Sequence, residues 1–216
     1  MTKKIAFISG IIALVFAFMS LMFLSNINIA FAHDFNPRTE SEIVMESSSL
    51  RVLYGKNIHE KKYMASTTKI LTAIVVIENC DLSETVTVTK ATVGVEGSSI
   101  YLEAGEKLTV KDLLYGLMLR SGNDCAETLA VHCSGSIDEF ARLMNESAAK
   151  IGAKNSHFVN PHGLHDDDHY TTAYDLALIS CYAMKNADFK EIVSTKKINI
   201  PFTTHDRRHA LSSFSF

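Results

Sequence analysis

The sequence has no excess of positive charge, no close pair of cysteines, no internal repeat and no low-complexity tract. With 21 lysines and arginines against 24 aspartates and glutamates, the chain lacks the basic balance that a nucleic-acid partner requires. Its four cysteines, Cys80, Cys125, Cys133 and Cys181, form no C-x-x-C, so spacing prescribes no connectivity. Cys80 and Cys181 each end an apolar, helical-looking run and read as buried free thiols. Disorder is excluded by ordinary globular usage, 47% hydrophobic and 21% charged over 216 residues, enough for one domain with a core.

What is present begins with an export signal. "MTKK" precedes twenty uncharged, largely apolar residues, Ile5 to Leu24, and then Ala30-Phe31-Ala32. A basic start, an apolar stretch and an A-x-A site read as a signal peptide over residues 1–32; an uncleaved anchor associated with a membrane is the alternative. Without Lys3 and Lys4 the balance is 19 basic to 24 acidic residues, or −5. Polar residues 33–42 then read as a linker into a domain spanning 43–216.

Within that domain, "EIVMESSSLRVLYGKN" is a candidate hairpin around a serine-rich turn. The run from Ser66 to Asn79 is apolar nearly all round and predicts a helix inside the domain. "ETVTVTK" alternates as a short strand. "TVKDLLYGLMLRSGND" spaces its apolar residues three and four apart behind a cap near Thr109. Further helices are expected at "AETLAVHC", at "SIDEFARLMNESAAKIG" with a Ser136 and Glu139 capping box, and at "TTAYDLALISCYAMKN".

The chemistry centres on a serine three residues before a lysine. The S-x-x-K spacing occurs three times, so spacing alone proves little. Ser147 to Lys150 sits late in an amphipathic helix, and Ser194 to Lys197 lies in a polar stretch with nothing apolar to bury its lysine. Ser66 differs. At the first turn of a buried helix, Ser66 and Lys69 share a face, and burial disfavours the ammonium form of Lys69, leaving an amine able to take a proton from serine. The competing account is Ser66 as a helix cap and Lys69 snorkelling to solvent. A second element, Ser121-Gly122-Asn123, falls at an expected break between two helices.

Taken in order, "MASTTKILTA", "GSSIYLEAGEKLTVKDLLYGLMLRSGNDCAETLA", "FARLMNESAAKIGA" and "HFVNPHGLHDDDHYTTAYDLA" resemble the serine D-alanyl-D-alanine carboxypeptidases, the low-molecular-mass penicillin-binding proteins. The resemblance implies an α+β transpeptidase fold of the penicillin-binding and β-lactamase type, with a helical part and an antiparallel sheet. It implies the S-x-x-K, S-x-N and K-T-G motifs of that class. On this basis Ser66 is the nucleophile toward the penultimate D-alanine of a peptidoglycan stem peptide, with Lys69 its base. Ser121 is a proton relay, Asn123 holds the substrate amide, β-lactams are covalent inhibitors, and no cofactor is expected.

No K-T-G or K-S-G occurs in the 216 residues. The expectation is therefore a domain without its C-terminal strands, poorly folded or nearly inactive by itself. A non-catalytic peptidoglycan-binding protein is the second reading, and a β-lactamase, told apart by rapid turnover of penicillin, is a third. In "HGLHDDDHY", His162, His165 and His169 with Asp166, Asp167 and Asp168 could gather zinc. A solvated polar loop without metal is the reading adopted.

Overall fold

The computed structural model describes residues 39–200 and the strand 209–212; the expected export signal and the first part of the linker lie outside the described residues. Glu42–Met45 (β1) pairs antiparallel with Val52–Lys56 (β2), with a bulge between Val44 and Met45. The serine-rich turn closes on Glu46, whose carboxylate accepts hydrogen bonds from Ser48 and Ser49. These bonds, the Ser49 side chain first, hold its pKa down at about 2. Thr39 and Glu40, placed in the linker from sequence, are tied to the strands: their carbonyls accept from Lys56 Nζ (2.8 Å) and Asn57 Nδ2 (2.9 Å).

A short 3₁₀ turn, Ala65–Thr67, leads into α1, Thr68–Asn79. Because α1 is apolar on nearly every face, it lies inside the domain, with Leu71, Ala73, Ile74, Val75 and Val76 all buried. Around it pack α2 (Val110–Arg120), α3 (Asn123–Ser134), α4 (Ile137–Ile151), α5 (Ala173–Ala183) and α6 (Ala187–Ser194). Two more antiparallel pairs complete the described strands: β3 (Thr85–Thr87) with β4 (Lys107–Thr109), and β5 (Lys197–Ile200) with β6 (His209–Ser212). The architecture is α+β, as expected.

Several local expectations hold and several are refined. Thr109 caps α2 through a full capping box with Asp112. Ser136 caps α4 by accepting from the Glu139 N–H, but no reciprocal bond forms, because the Glu139 carboxylate is taken by Arg142 one turn on. Ser194 and Lys197 are both exposed, so nothing apolar buries that lysine, as expected. They end α6 and begin β5, between the buried Ile192 and Ile200. Among the described residues the β1–β2 hairpin pairs with no third strand, and Val44, Val52 and Leu53 are exposed. Among the described residues no helix is long and apolar enough to cross a membrane.

Candidate active site

Ser66 is exposed on the 3₁₀ turn, and Lys69 is 2% exposed one turn deeper. Neither fits the capping account. The residue that precedes α1 is Thr67, no side chain caps either helical segment, and Lys69 runs into the protein, away from solvent. The turn is entered through Ala65 at φ +46°, a left-handed conformation that costs a non-glycine residue of order 1–3 kcal/mol and concentrates at functional sites.

Among the described residues Lys69 Nζ has three hydrogen-bond partners. It donates to Asn123 Oδ1 at 2.7 Å and to the His162 carbonyl at 2.9 Å, and it lies 3.2 Å from Ser66 Oγ. The first two are acceptors only, so both require N–H donors. A neutral amine has two such hydrogens and one lone pair, which leaves the lone pair for the Ser66 hydroxyl. Burial brings the Lys69 pKa down from 10.5 to about 8, against an opposing pull from Cys125 and the Asp124 carboxylate.

Two helices deliver these groups. Lys69 and Asn123 meet at the N-terminal ends of α1 and α3, so both helices direct their positive ends at the site, which favours a neutral amine and a developing oxyanion. Ser121 ends α2 at φ +57°, and only Ser121 and Gly122 separate the two helices; Asn123 already opens α3 and is not part of the break. Asn123 is held from a loop before α2: its Nδ2 donates to the Glu96 carbonyl at 2.5 Å and its backbone N–H to the Ser98 carbonyl at 2.7 Å. The Ser121 hydroxyl is shielded from solvent and has no hydrogen-bond partner among the described residues, so it is not joined to the other three.

Asp124 is fully buried and was not singled out in the sequence. Its carboxylate accepts from Ser99 Oγ (2.6 Å) and from the backbone N–H groups of Leu102 (3.0 Å) and Ile100 (3.3 Å), fastening the 98–102 loop to the start of α3. An acid in the first turn of a helix was the signal available. Asp124→Ala is expected to leave buried donors unpaired and to lower stability by about 3 kcal/mol, read as a lower midpoint in urea unfolding.

The "HGLHDDDHY" loop divides in two. His165 and Asp166 to Asp168 are exposed, as a solvated loop requires, but His162 and His169 are buried. His162 Nδ1 accepts from the Leu164 N–H (3.1 Å) and its Nε2 faces Glu127 at 3.4 Å; His169 Nδ1 accepts from the Val159 N–H (3.1 Å) while its Nε2 meets Thr68 Oγ1 at 2.8 Å. Burial lowers both imidazole pKa values to about 4, so the His162–Glu127 contact joins a neutral ring to a carboxylate. Among the described residues no three His, Cys, Asp or Glu side chains are grouped to hold a metal.

This loop reaches the serine turn through Gly163. At φ +89° its Cα faces the Ala65 carbonyl so closely that an added Cβ would stand 1.9 Å from that oxygen. Asn160 sets the approach, its Oδ1 accepting from the Gly163 N–H at 2.7 Å.

The family model for D-alanyl-D-alanine carboxypeptidases matches residues 29–212. The D-alanyl-D-alanine carboxypeptidase DacF of Bacillus subtilis is 35% identical over 189 residues, covering 82% of this chain and 49% of that protein. A D-alanyl-D-alanine carboxypeptidase of Streptomyces sp. is 38% identical over 164 residues, covering 70% of this chain and 56% of that protein. A crystal structure of a D-alanyl-D-alanine carboxypeptidase from Mycobacterium tuberculosis superposes with a TM-score of 0.79 at 31% identity, over 83% of this chain and 68% of that one. A mutant of a Streptomyces DD-transpeptidase gives 0.77 at 33%, over 82% and 75%. The chain thus spans about half the length of the curated relatives it matches. With a family match over most of its length and relatives above 30% identity, it belongs to the D-alanyl-D-alanine carboxypeptidase family of peptidases.

Proposed function

We propose that this chain carries the acylation centre of a penicillin-sensitive serine DD-carboxypeptidase acting on peptidoglycan stem peptides that end in D-alanyl-D-alanine. The observation that carries the reading is the placement of Lys69 Nζ between two carbonyl acceptors and the Ser66 hydroxyl. Once deprotonated, near and above pH 8, the amine spends its two hydrogens on Asn123 and His162 and directs its lone pair at Ser66. As Ser66 Oγ attacks the penultimate D-alanine carbonyl, Lys69 takes the hydroxyl proton, and the positive ends of α1 and α3 oppose the charge that develops on the carbonyl oxygen.

Ser121 then passes a proton to the departing D-alanine amine. Its buried, unpartnered hydroxyl retains the donor and acceptor capacity that a relay needs. Asn123 keeps one amide hydrogen beyond its bond to Glu96, available to the substrate backbone. Water releases the shortened peptide, and β-lactams acylate the same oxygen. Residues 1–32 direct export to the cell-wall face of the membrane, as a cleaved signal or an anchor, and the domain begins after a short linker.

The 216 residues hold no K-T-G, so the carboxylate anchor that the resemblance implies is not among them. Loss of one oxyanion donor alone costs on the order of 10²–10³ in rate, and acylation of this polypeptide is expected to be slow. The test is intact mass and peptide mapping after hours with excess fluorescent penicillin. One adduct on Ser66, absent in Ser66→Ala, is expected; a folded chain that stays unlabelled or is labelled elsewhere contradicts the reading.

A further inference from the structure

Just before the serine turn the chain borders an open hollow of about 510 Å³, lined by Glu40, Lys61, Lys62, Tyr63, Asp167 and Tyr170. The acylation chemistry uses none of these side chains. Their backbone is fixed: Lys62 exchanges two hydrogen bonds with Thr171 (2.8 and 3.0 Å), and Tyr170 exchanges two with His157 (2.8 and 3.0 Å). Tyr63 is 61% exposed, yet its ring is held in place. His165 meets it edge-on at 4.5 Å, and the Tyr63 hydroxyl donates to Asp167 Oδ1 at 3.2 Å. Lys62 is paired with Glu40 (2.9 Å) and Glu60 (3.2 Å). The Lys61 ammonium instead sits 4.0 Å from the centre of the Tyr170 ring, and among the described residues no carboxylate holds it.

These features restrict the ligand. The lining holds two lysines and two carboxylates, which leaves no net charge to draw a phosphate or a polycation. Every lining residue is charged or carries a hydroxyl, so no closed apolar floor receives an acyl chain. What remains is an exposed aromatic ring flanked by an ammonium with hydrogens to donate and a carboxylate with an oxygen to spare. That set matches the C–H face, the acetamido carbonyl and the hydroxyls of an N-acetylated sugar. We infer that the hollow is a subsite for the N-acetylated glycan strand of the cell wall, with a sugar ring stacked on Tyr63, its hydroxyls donating to Asp167 and an acetamido carbonyl accepting from Lys61. The identity of the glycan rests on the peptidoglycan reading above. Tyr63 stands three residues before Ser66, at most about 11 Å along the chain, so a strand seated here keeps its stem peptide near the acylation site.

The experiment labels the seven tyrosine rings of the full chain with ¹³C, titrates it with the peptide-free trimer of N-acetylglucosamine, and follows the ring signals by NMR. The expected result is a millimolar-range Kd with shifts confined to the Tyr63 and Tyr170 rings, each assigned by its Tyr→Phe variant. Tyr63→Ala weakens binding at least about tenfold, whereas Tyr182→Ala, at an exposed ring that does not line the hollow, binds as the unsubstituted chain does. No shift up to about 20 mM trimer, shifts at other rings, or unchanged binding by Tyr63→Ala would overturn the inference. So would shifts of Tyr63 and Tyr170 with a sugar-free stem pentapeptide and none with the trimer, which would assign the hollow to the peptide. The signals of the unsubstituted chain decide the matter whether or not Tyr63→Ala folds. Penicillin labelling of Ser66 in the same preparation is read separately: labelling without glycan binding ends this inference alone, and glycan binding without labelling ends the acylation reading alone.

Discussion

Lys69→Met lowers the rate of penicillin acylation at Ser66 by about 10³-fold, within the range for loss of a positioned general base, and leaves Tm unchanged or higher. Methionine keeps most of the volume of the lysine stem but supplies neither base nor donor. Catalysis suffers because nothing then accepts the Ser66 proton, the lysine having been the only titratable group bonded to that hydroxyl among the described residues. Stability does not suffer in the same way, because a lysine 2% exposed, with its pKa brought from 10.5 to about 8, is held at a desolvation cost. The two readouts together separate roles: acylation measured by intact mass and Tm by calorimetry would fall in parallel if Lys69 were only a structural tether between Asn123 and the His162 carbonyl.

Gly163→Ala has the second large effect, and it acts through the backbone. The new methyl group would overlap the Ala65 carbonyl oxygen at 1.9 Å and press on Thr68 Oγ1 at 2.9 Å, at a φ of +89° that already disfavours any side chain. No rotamer relieves the contact with the carbonyl, because Cβ has none. The loop must move away from the serine turn, and the His162 carbonyl moves with it. Expected are a loss of about 3 kcal/mol or more in stability, from backbone strain at a special conformation, and acylation reduced at least about 100-fold. Urea unfolding and penicillin labelling of the same preparation measure both. Wild-type labelling in Gly163→Ala would show that the loop does not set the site.

Much of this site was legible in the sequence because its spacing is local. Ser66 and Lys69 are one helical turn apart, and the apolar run behind them announced a buried helix. Ser121 and Asn123 announced a helix boundary, but their different fates, one hydroxyl left unpartnered and one amide bonded to Lys69, depend on the left-handed turn at Ser121. The His162 contribution was not legible, since it is made by a carbonyl that every residue carries. Nor could composition separate the buried His162 and His169 from the exposed aspartates between them. The alternation in "ETVTVTK" announced β3, but β4 and the pairing of the two strands rest on contacts distant in sequence, where periodicity is silent. Resemblance to a family supplied the roles; the acceptors around Lys69 supply the physical reason for them.

The most direct test of a neutral Lys69 serving Ser66 is the pH dependence of penicillin acylation at Ser66, followed by intact mass with Lys69→Met as the blank. Only the deprotonated amine can accept the serine proton, so the rate should rise about tenfold per pH unit at low pH, bend near pH 8 where the buried amine titrates, and level off above it. A rate independent of pH across that range, or one still climbing toward the ordinary lysine value of 10.5, would contradict the account.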